Sequence, residues 1–330
     1  MLEEGEEQNQ EVVLRFSVLI PLYNKASYVT KAIDSVLSQT FADYELVIMD
    51  DGSKDESFDV ASKAIEGRAN CHIHRQENAG VSMARNNAAA LAQGEYLCFL
   101  DADDWWAPNF LEEMSGLIDA CPEAGIYGTG YTIVDETRNR TRVAPIGVEQ
   151  GFEKGYINYC QVYAKTLAMP LWTSAVCVPH AIYDEMHGFP KGIKLGEDFL
   201  LWIKIALKYK VAFLNKPLAF YNQDVEAVNR GVIRKGYDPD TFMTFHFDQF
   251  EEEEKKNPDL KVLLDRLRVY SLLRFRFANS HRDRVNQEIK KVDFSHVDRK
   301  YWYLYKLPFP IIAVYLKIRS FAAWVKNRMR

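Results

Sequence analysis

The residues best suited to chemistry are acidic and come in short clusters. Asp101-Ala102-Asp103 sets two carboxylates on alternate residues at the end of an apolar run, so both can reach one ligand. Oxygen ligands of that kind suit a hard divalent cation, Mg2+ or Mn2+. Such an ion can neutralise a diphosphate as it leaves. Asp50-Asp51-Gly52-Ser53 is a second cluster. A carboxylate there can accept the imide N–H of a uracil ring or ribose hydroxyls, and glycine lets the backbone come close to a ligand. Glu197-Asp198 follows Gly196 and opens a helical pattern. A carboxylate is held as the anion at a helix start, which suits a general base acting on a hydroxyl. Arg85, in Arg85-Asn86-Asn87, is the cation available to the acidic clusters or to a nucleotide. Each cluster also has a plainer reading. Paired aspartates are common in surface loops, Ser53 can cap a helix, Arg85 can form a buried ion pair, and Glu197-Asp198 can simply complement a helix dipole.

The elements that must position these residues alternate in period. Phe16–Ile20 is an apolar run stopped by Pro21 and reads as a buried strand. Val29, Ala32, Ile33, Val36 and Leu37 then fall on one helical face. Glu45–Met49, Cys71–Arg75 and Tyr96–Leu100 read as further strands. Between them, Ser53 is expected to cap one helix, and Ser82–Gln93 to form an Ala-rich helix closed by Gly94. Strand–helix alternation with continuous apolar strands predicts an α/β fold with a parallel sheet covered on both faces. In open sheets of this type ligands bind at the C-terminal strand ends, and there the clusters lie: Tyr23-Asn24, Asp50-Asp51 and Asp101–Asp104. Farther on, Ile126–Val134 and Val211–Leu214 read as strands and Asp198–Lys208 as a helix. Helical period dominates from about Asp240, with Leu260–Ala278 strongly amphipathic.

The chain has 330 residues, 48% of them apolar, enough for one large domain with an appendage. A net charge of -5 gives no nucleic-acid footprint. Five cysteines, an odd number without a CxxC, read as reduced thiols of a cytoplasmic protein. Residues 1–11 carry five Glu, no basic residue and no hydrophobic run, which excludes a secretory signal there. No stretch approaches the roughly 18 apolar residues of a membrane span. The expected organisation is an acidic lead-in (1–14), a catalytic domain (15–225) and a helical C-terminal extension (226–330).

In order along the chain, Phe16-Ser17-Val18-Leu19-Ile20-Pro21-Leu22-Tyr23-Asn24, Ser35–Thr40, Glu45–Asp55, Asn78-Ala79-Gly80, Ala84-Arg85-Asn86, Gly94-Glu95-Tyr96, Leu100–Asp104, Gly188-Phe189 and Gly196-Glu197-Asp198 with Trp202 resemble the family 2 inverting glycosyltransferases of the GT-A fold. The resemblance runs from Phe16 to about Tyr221. It implies a mostly parallel central sheet flanked by helices, and transfer of a sugar from a nucleotide-diphosphate donor, a UDP-sugar, to a hydroxyl of a glycan or lipid-linked acceptor. Surface polysaccharide or glycolipid synthesis is the setting it implies. It also implies roles. Pro21, Tyr23 and Asn24 line the nucleotide pocket, Asp51 reads the base, Arg85 braces the donor site, Asp101 contacts ribose or sugar, and Asp103 ligates Mn2+ or Mg2+. Asp198 is the catalytic base with Glu197 beside it, while Trp172, Thr173 and Trp202 fall among acceptor or donor-sugar contacts. Arg230 or Arg234 would cover the diphosphate, and His246 would approach the metal.

The chain departs from the processive members, which carry Gln-x-x-Arg-Trp. Here Phe199-Leu200-Leu201-Trp202 keeps only the tryptophan, so addition of one or a few sugars is expected. Over 308–330, Ile311, Tyr315, Ile318, Ala322 and Val325 share a helical face flanked by Lys317, Arg319, Lys326 and Arg328, with Trp302, Tyr303, Tyr305 and Trp324 as amphipathic aromatics. That composition suits a helix lying on the inner face of a membrane, or one packed on protein, including a second copy of the chain. Two rival enzyme classes fit poorly. Pro21–Ala26 has no glycine and a single lysine, against a nucleotidyl-transfer phosphate loop, and GxGxxG is absent, against a dehydrogenase. A degenerate GT-A-like binding or scaffold protein is the non-catalytic alternative.

Overall fold

The computed structural model describes residues 14–224, 238–312 and 314. Arg230, Arg234 and most of the 308–330 segment lie outside the described residues. The first units are β1 (Phe16–Leu22), α1 (Val29–Leu37), β2 (Tyr44–Asp50), α2 (Ser57–Ala64), β3 (Cys71–Arg75), α3 (Val81–Ala89) and β4 (Tyr96–Phe99). They are followed by β5 (Trp105–Trp106), α4 (Phe110–Ala120), β6 (Ala124–Asp135), β7 (Arg140–Val143), β8 (Lys154–Ile157) and α5 (Tyr159–Thr166). Next come β9 (Val176–Pro179), α6 (His180–Glu185), α7 (Glu197–Lys208) and β10 (Lys210–Asn222). The extension holds α8 (Glu251–Lys256), α9 (Pro258–Ala278), α10 (Arg282–Lys290) and α11 (Arg299–Lys306).

The strands form one sheet in the order β3-β2-β1-β4-β9-β6-β10-β5, with β7 on β6 and β8 on β10. β3, β2, β1 and β4 are parallel, as are β6 and β10. β9 runs antiparallel between β4 and β6, so the sheet is parallel in its first half and mixed in its second. This inversion matters for the site. A strand running backwards starts at the edge where its neighbours end, so Thr173 and Ser174, just before β9, share an edge with the residues after β1, β2 and β4.

The side-chain period of two explains why β1 is buried throughout. Phe16, Val18, Ile20 and Leu22 face a core built with α1, α2 and α4. Leu19 faces the other core, where α3, α5, α7 and α9 pack. Leu260, Leu263, Leu264 and Leu267 of α9 belong to that second core, so the extension shares its hydrophobic interior with the sheet. Buried charges tie α9 to its neighbours. Arg268 holds both carboxylate oxygens of Glu254 on α8, at 2.6 and 2.8 Å, and Asp265 meets His296 Nδ1 at 2.8 Å. No helix among the described residues is long and apolar enough to cross a membrane.

Two local expectations are corrected. The Ala-rich helix ends at Ala89, not Gln93. Its last turn tightens into i→i+3 bonds, Leu91 N–H to Ala88 and Ala92 N–H to Ala89. Gly94 is therefore no helix cap. It lies against β1, where its N–H donates to Ser17 Oγ at 2.7 Å, while Ser17 donates to Glu45 at 2.6 Å. Ser53 likewise caps nothing. Its hydroxyl accepts from Asn24 N–H, and Asp55 takes the first donors of α2 at Ser57.

A Cβ on residue 94 would stand 2.5 Å from the Ser17 nitrogen, an atom fixed in the sheet. Gly94→Ala is expected to destabilise the fold by about 1–3 kcal/mol through overpacking. A urea midpoint unchanged from the parent would contradict this.

Candidate active site

The loops after β1 and β2 are stitched together before any ligand is considered. Asn24 adopts the left-handed conformation at φ 50°, one that Asn tolerates better than most residues. Its Oδ1 accepts Lys54 N–H at 2.8 Å, and Lys25 N–H donates to Ser57 Oγ at 2.7 Å. Pro21 is buried at the end of β1, and Tyr23 is exposed beside it. Asp50, wholly buried, accepts from Arg75 Nε at 2.6 Å.

Asp51 is buried and fully engaged. Its Oδ1 accepts from Gln76 Nε2 and Ala79 N–H, both at 2.8 Å. Its Oδ2 accepts from Gly80 N–H at 2.9 Å and Asn78 Nδ2 at 3.1 Å. Four donors fill the four lone-pair positions of a carboxylate. Asp51 therefore orders the Gln76–Gly80 turn, and a base can reach its oxygens only by replacing one of these donors.

Arg85 is the centre of the edge. Only 3% exposed, it donates from Nη2 to Asp101 Oδ1 at 2.7 Å and from Nη1 to Glu197 Oε1 at 2.9 Å. Although burial opposes the charge, Asp101 and Glu197 raise the guanidinium's pKa. One planar cation thus joins α3, the end of β4 and the start of α7. Its neighbour Asn86 does parallel work, accepting Phe189 N–H and donating to Phe189 O, each at 2.9 Å. This accounts for Gly188: a Cβ there would meet Asn86 Oδ1 at 2.6 Å.

Asp103 pairs with the Lys25 ammonium, Oδ2 to Nζ 2.5 Å. Burial raises its pKa, Lys25 opposes that, and Asp101 adds to it. Asp104 is buried deeper. It accepts from Ser174 Oγ at 2.6 Å, Trp172 Nε1 at 3.1 Å and Asn222 N–H at 3.0 Å. Burial, with Asp103 and Asp101 behind it, drives its pKa well up against these donors. Trp172, held this way, stacks with Tyr131 (centroids 5.5 Å apart) and meets Tyr221 at 4.4 Å, a half-exposed aromatic wall on the edge.

Asp198 stands across Arg85 from Asp101. Thr173 Oγ1 donates to its Oδ2 and Phe199 N–H to its Oδ1, both at 2.9 Å. Burial first, and Glu197 second, push its pKa from 3.8 up to about 7, against Arg85 and these two hydrogen bonds. Gly196, at φ 82°, lets the chain turn into α7, and a Cβ there would collide with Met243 Sδ at 2.3 Å. The extension thus packs directly behind this acidic turn.

The edge gathers most of the residues expected from sequence. Trp202 is one exception: it is wholly buried against Phe99 and Phe189 and presents no surface to the edge. Thr173 is also buried and spends its hydroxyl on Asp198, so it positions that carboxylate and is not itself a surface for a sugar. His246 bonds through Nε2 to the Asp240 carbonyl at 2.8 Å and is not brought to the carboxylates. Sequence reasoning missed Lys25, Gln76 and Ser174, and it gave Asp104 no role beyond its place in the Asp101–Asp104 cluster. Among the described residues no group of three or more His, Cys, Asp or Glu side chains could hold a metal. Asp101 and Asp103 nevertheless fit a hard cation that takes its remaining oxygens from a diphosphate and water, and the Lys25 ammonium on Asp103 marks that spot as one that accepts positive charge.

The family profile described as Glycosyl transferase family 2 matches residues 17–180. EpsH of Bacillus subtilis (strain 168), which is named a putative glycosyltransferase, is 35% identical over 279 residues, covering 76% of this chain and 80% of that protein. The chain spans about a third (30–32%) of the length of three other curated glycosyltransferases that it matches at 29–31% identity. Among solved structures, residues 1–349 of S. aureus TarS in complex with UDP-GlcNAc superpose with a TM-score of 0.67 at 20% identity, over 86% of this chain and 83% of that one. The mannosyltransferase PcManGT from Pyrobaculum calidifontis, in complex with GDP-Man and Mn2+, gives 0.57 at 18% identity, over 96% and 82%. The fold is the GT-A fold expected from sequence.

Because its folded-state pKa lies above the unfolded value, Asp198 favours the fold in its protonated form. That contribution is complete below about pH 4 and is lost as pH rises through about 7. Asp198→Asn, neutral throughout, is expected to gain in melting temperature relative to the parent between pH 5 and pH 8. A difference that stays flat over this range would contradict the raised pKa.

Proposed function

Because the chain belongs to glycosyltransferase family 2, we propose that it transfers a sugar, with inversion, from a UDP-sugar to a hydroxyl of a glycan or lipid-linked acceptor. One observation carries the reading. A single buried guanidinium, Arg85, joins Asp101 on the donor side to the Glu197-Asp198 turn, and Asp198 there has a pKa of about 7. A general base works best when its pKa lies near the operating pH. TarS and PcManGT, solved with UDP-GlcNAc and with GDP-Man and Mn2+, support a nucleotide-diphospho-sugar donor.

In this reading Tyr23, Asn24 and the Gln76–Gly80 turn held by Asp51 bound the nucleotide site, and the Gln76 and Asn78 amides are the donors that a base would replace on Asp51. Pro21 closes the floor beneath them. Asp103, with Asp101 beside it, would hold Mn2+ or Mg2+, which when bound neutralises charge on the departing diphosphate. Asp198, aimed by Thr173, takes the proton from the acceptor hydroxyl. The freed oxygen pair bonds to the anomeric carbon from the face opposite the diphosphate, and the bond to the diphosphate oxygen breaks with its electrons leaving on the phosphate. Trp172 and Tyr221 present an aromatic wall on which a sugar ring can lie. Glu197, paired with Arg85, orients the turn. A lipid-linked acceptor in surface polysaccharide or glycolipid synthesis suits the exposed Trp302, Tyr303, Ile311 and Val314, side chains that favour a membrane surface.

Asp198→Asn is expected to keep donor binding and lose about 10²- to 10⁴-fold in kcat, the usual range for a general base. In the parent enzyme kcat should rise with pH and level off above about 7, since the carboxylate is the active form. Full turnover in Asp198→Asn would remove it from the base role. In a thermal-shift series, UDP with Mn2+ is expected to stabilise the chain more than UDP with EDTA. GDP with Mn2+ giving the larger shift would overturn the uracil assignment.

A further inference from the structure

Lys25 has no part in the chemistry above, yet both its backbone and its ammonium are tied down at this edge. Its backbone N–H is tied to Ser57 Oγ at 2.7 Å, and the residue before it is locked in a left-handed turn across the neighbouring loop. The side chain therefore runs inward. Its ammonium lies 2.5 Å from Asp103 Oδ2 and 5.7 Å from the Tyr28 ring centre, with only 13% of the side chain exposed. Among the described residues Asp103 has no other cation in hydrogen-bond contact, and Arg85 is committed to Asp101 and Glu197.

A divalent ion and the ammonium compete for the charge of Asp103, since like charges on one partly buried carboxylate repel and each weakens the other's hold. A four-carbon stem lets the ammonium swing away, but it then needs a new anion, and the donor's diphosphate is the nearest that the proposed reaction supplies. The geometry points to Lys25 as a tethered counter-ion that holds Asp103 in the donor-free protein and passes to the diphosphate when donor arrives, so that divalent-metal binding and diphosphate binding are coupled through one side chain. This rests on the donor reading given above. Such coupling is reciprocal: what loosens Lys25 from Asp103 for the diphosphate also opens Asp103 to metal.

The test is Mn2+ binding to the full chain, followed by the electron paramagnetic resonance signal of free Mn2+, with and without UDP. Lys25→Met keeps the apolar stem and removes the charge, Lys25→Arg keeps the charge, and Lys54→Met removes an exposed charge from the adjoining loop. Without nucleotide, Lys25→Met should bind Mn2+ about tenfold more tightly than the parent, within the usual range of coupling between sites. Lys25→Arg and Lys54→Met should stay close to the parent. The gain in Mn2+ affinity on adding UDP should shrink in Lys25→Met, and its UDP affinity in EDTA should fall. The inference is overturned if Lys25→Met binds Mn2+ no better than the parent, if Lys54→Met tightens it equally, or if no protein in the set binds Mn2+. If UDP binds to none of them, the donor reading fails, and the nucleotide-free Mn2+ comparison still decides whether Lys25 guards Asp103.

Discussion

The Arg85 guanidinium is the interaction on which the candidate site depends. A buried cation is tolerable only when paired, and this one is paired twice, with Asp101 and with Glu197. Removing it would leave two carboxylates facing each other in a poorly solvated space, and breaking a buried pair in that way is far more costly than the pair is stabilising. The fork geometry of the guanidinium also sets spacing. It fixes how far the end of β4 stands from the start of α7, and so how far the donor-side carboxylates stand from Asp198. The same pairing divides labour between adjacent acids. Glu197 is bound to the cation. Asp198, one residue on, is left with a hydroxyl and a backbone N–H, and its pKa rises.

What surrounds this cation is arranged to keep its partners in place. The reversal of β9 brings Thr173 to Asp198 and Ser174 to Asp104 at one edge of the sheet. Asp104 in turn fixes the Trp172 indole and the Asn222 backbone, so a buried carboxylate beside Asp103 serves as scaffold for the aromatic wall. On the far side, Met243 packs where a side chain on residue 196 would have to go. The helical extension thereby sets the turn into α7 as firmly as Arg85 does, and its leucines share the core beneath.

The fold was largely legible because β1 and β2 are apolar on both faces and α1 carries a clear one-sided stripe; β1, β2, β3 and α1 lie close to where the sequence patterns put them. The acidic clusters at Asp50-Asp51 and Asp101–Asp104 were legible for a related reason, since each follows a readable strand, and Glu197-Asp198 because it opens a readable helix. What escaped were relations across long sequence distance. Lys25 meets Asp103 over 78 residues and Ser174 meets Asp104 over 70, and no local pattern announces either. Trp202 was misread because a tryptophan at helical spacing carries the same letters whether it lines a site or, as here, fills the core against Phe99 and Phe189. Gly94 was misread because a glycine after a helix suggests a cap, whereas its real constraint comes from Ser17, far back in the chain.

The charge pattern of the edge follows from which acids have already found partners. Asp50 has Arg75, Asp51 has four donors, and Asp101 and Glu197 share Arg85. Each is already engaged within the fold, Asp50, Asp101 and Glu197 by an arginine and Asp51 by neutral donors. The demand that remains lies on Asp103, Asp104 and Asp198, and these three carry the raised pKa values. Asp104 is sealed inside, so only Asp103 and Asp198 can satisfy theirs with something from outside. The first calls for positive charge and the second for a proton. A reaction that brings a cation-bound diphosphate to one and an acidifying hydroxyl to the other relieves both at once, while Arg85 holds their neighbours Asp101 and Glu197 in place.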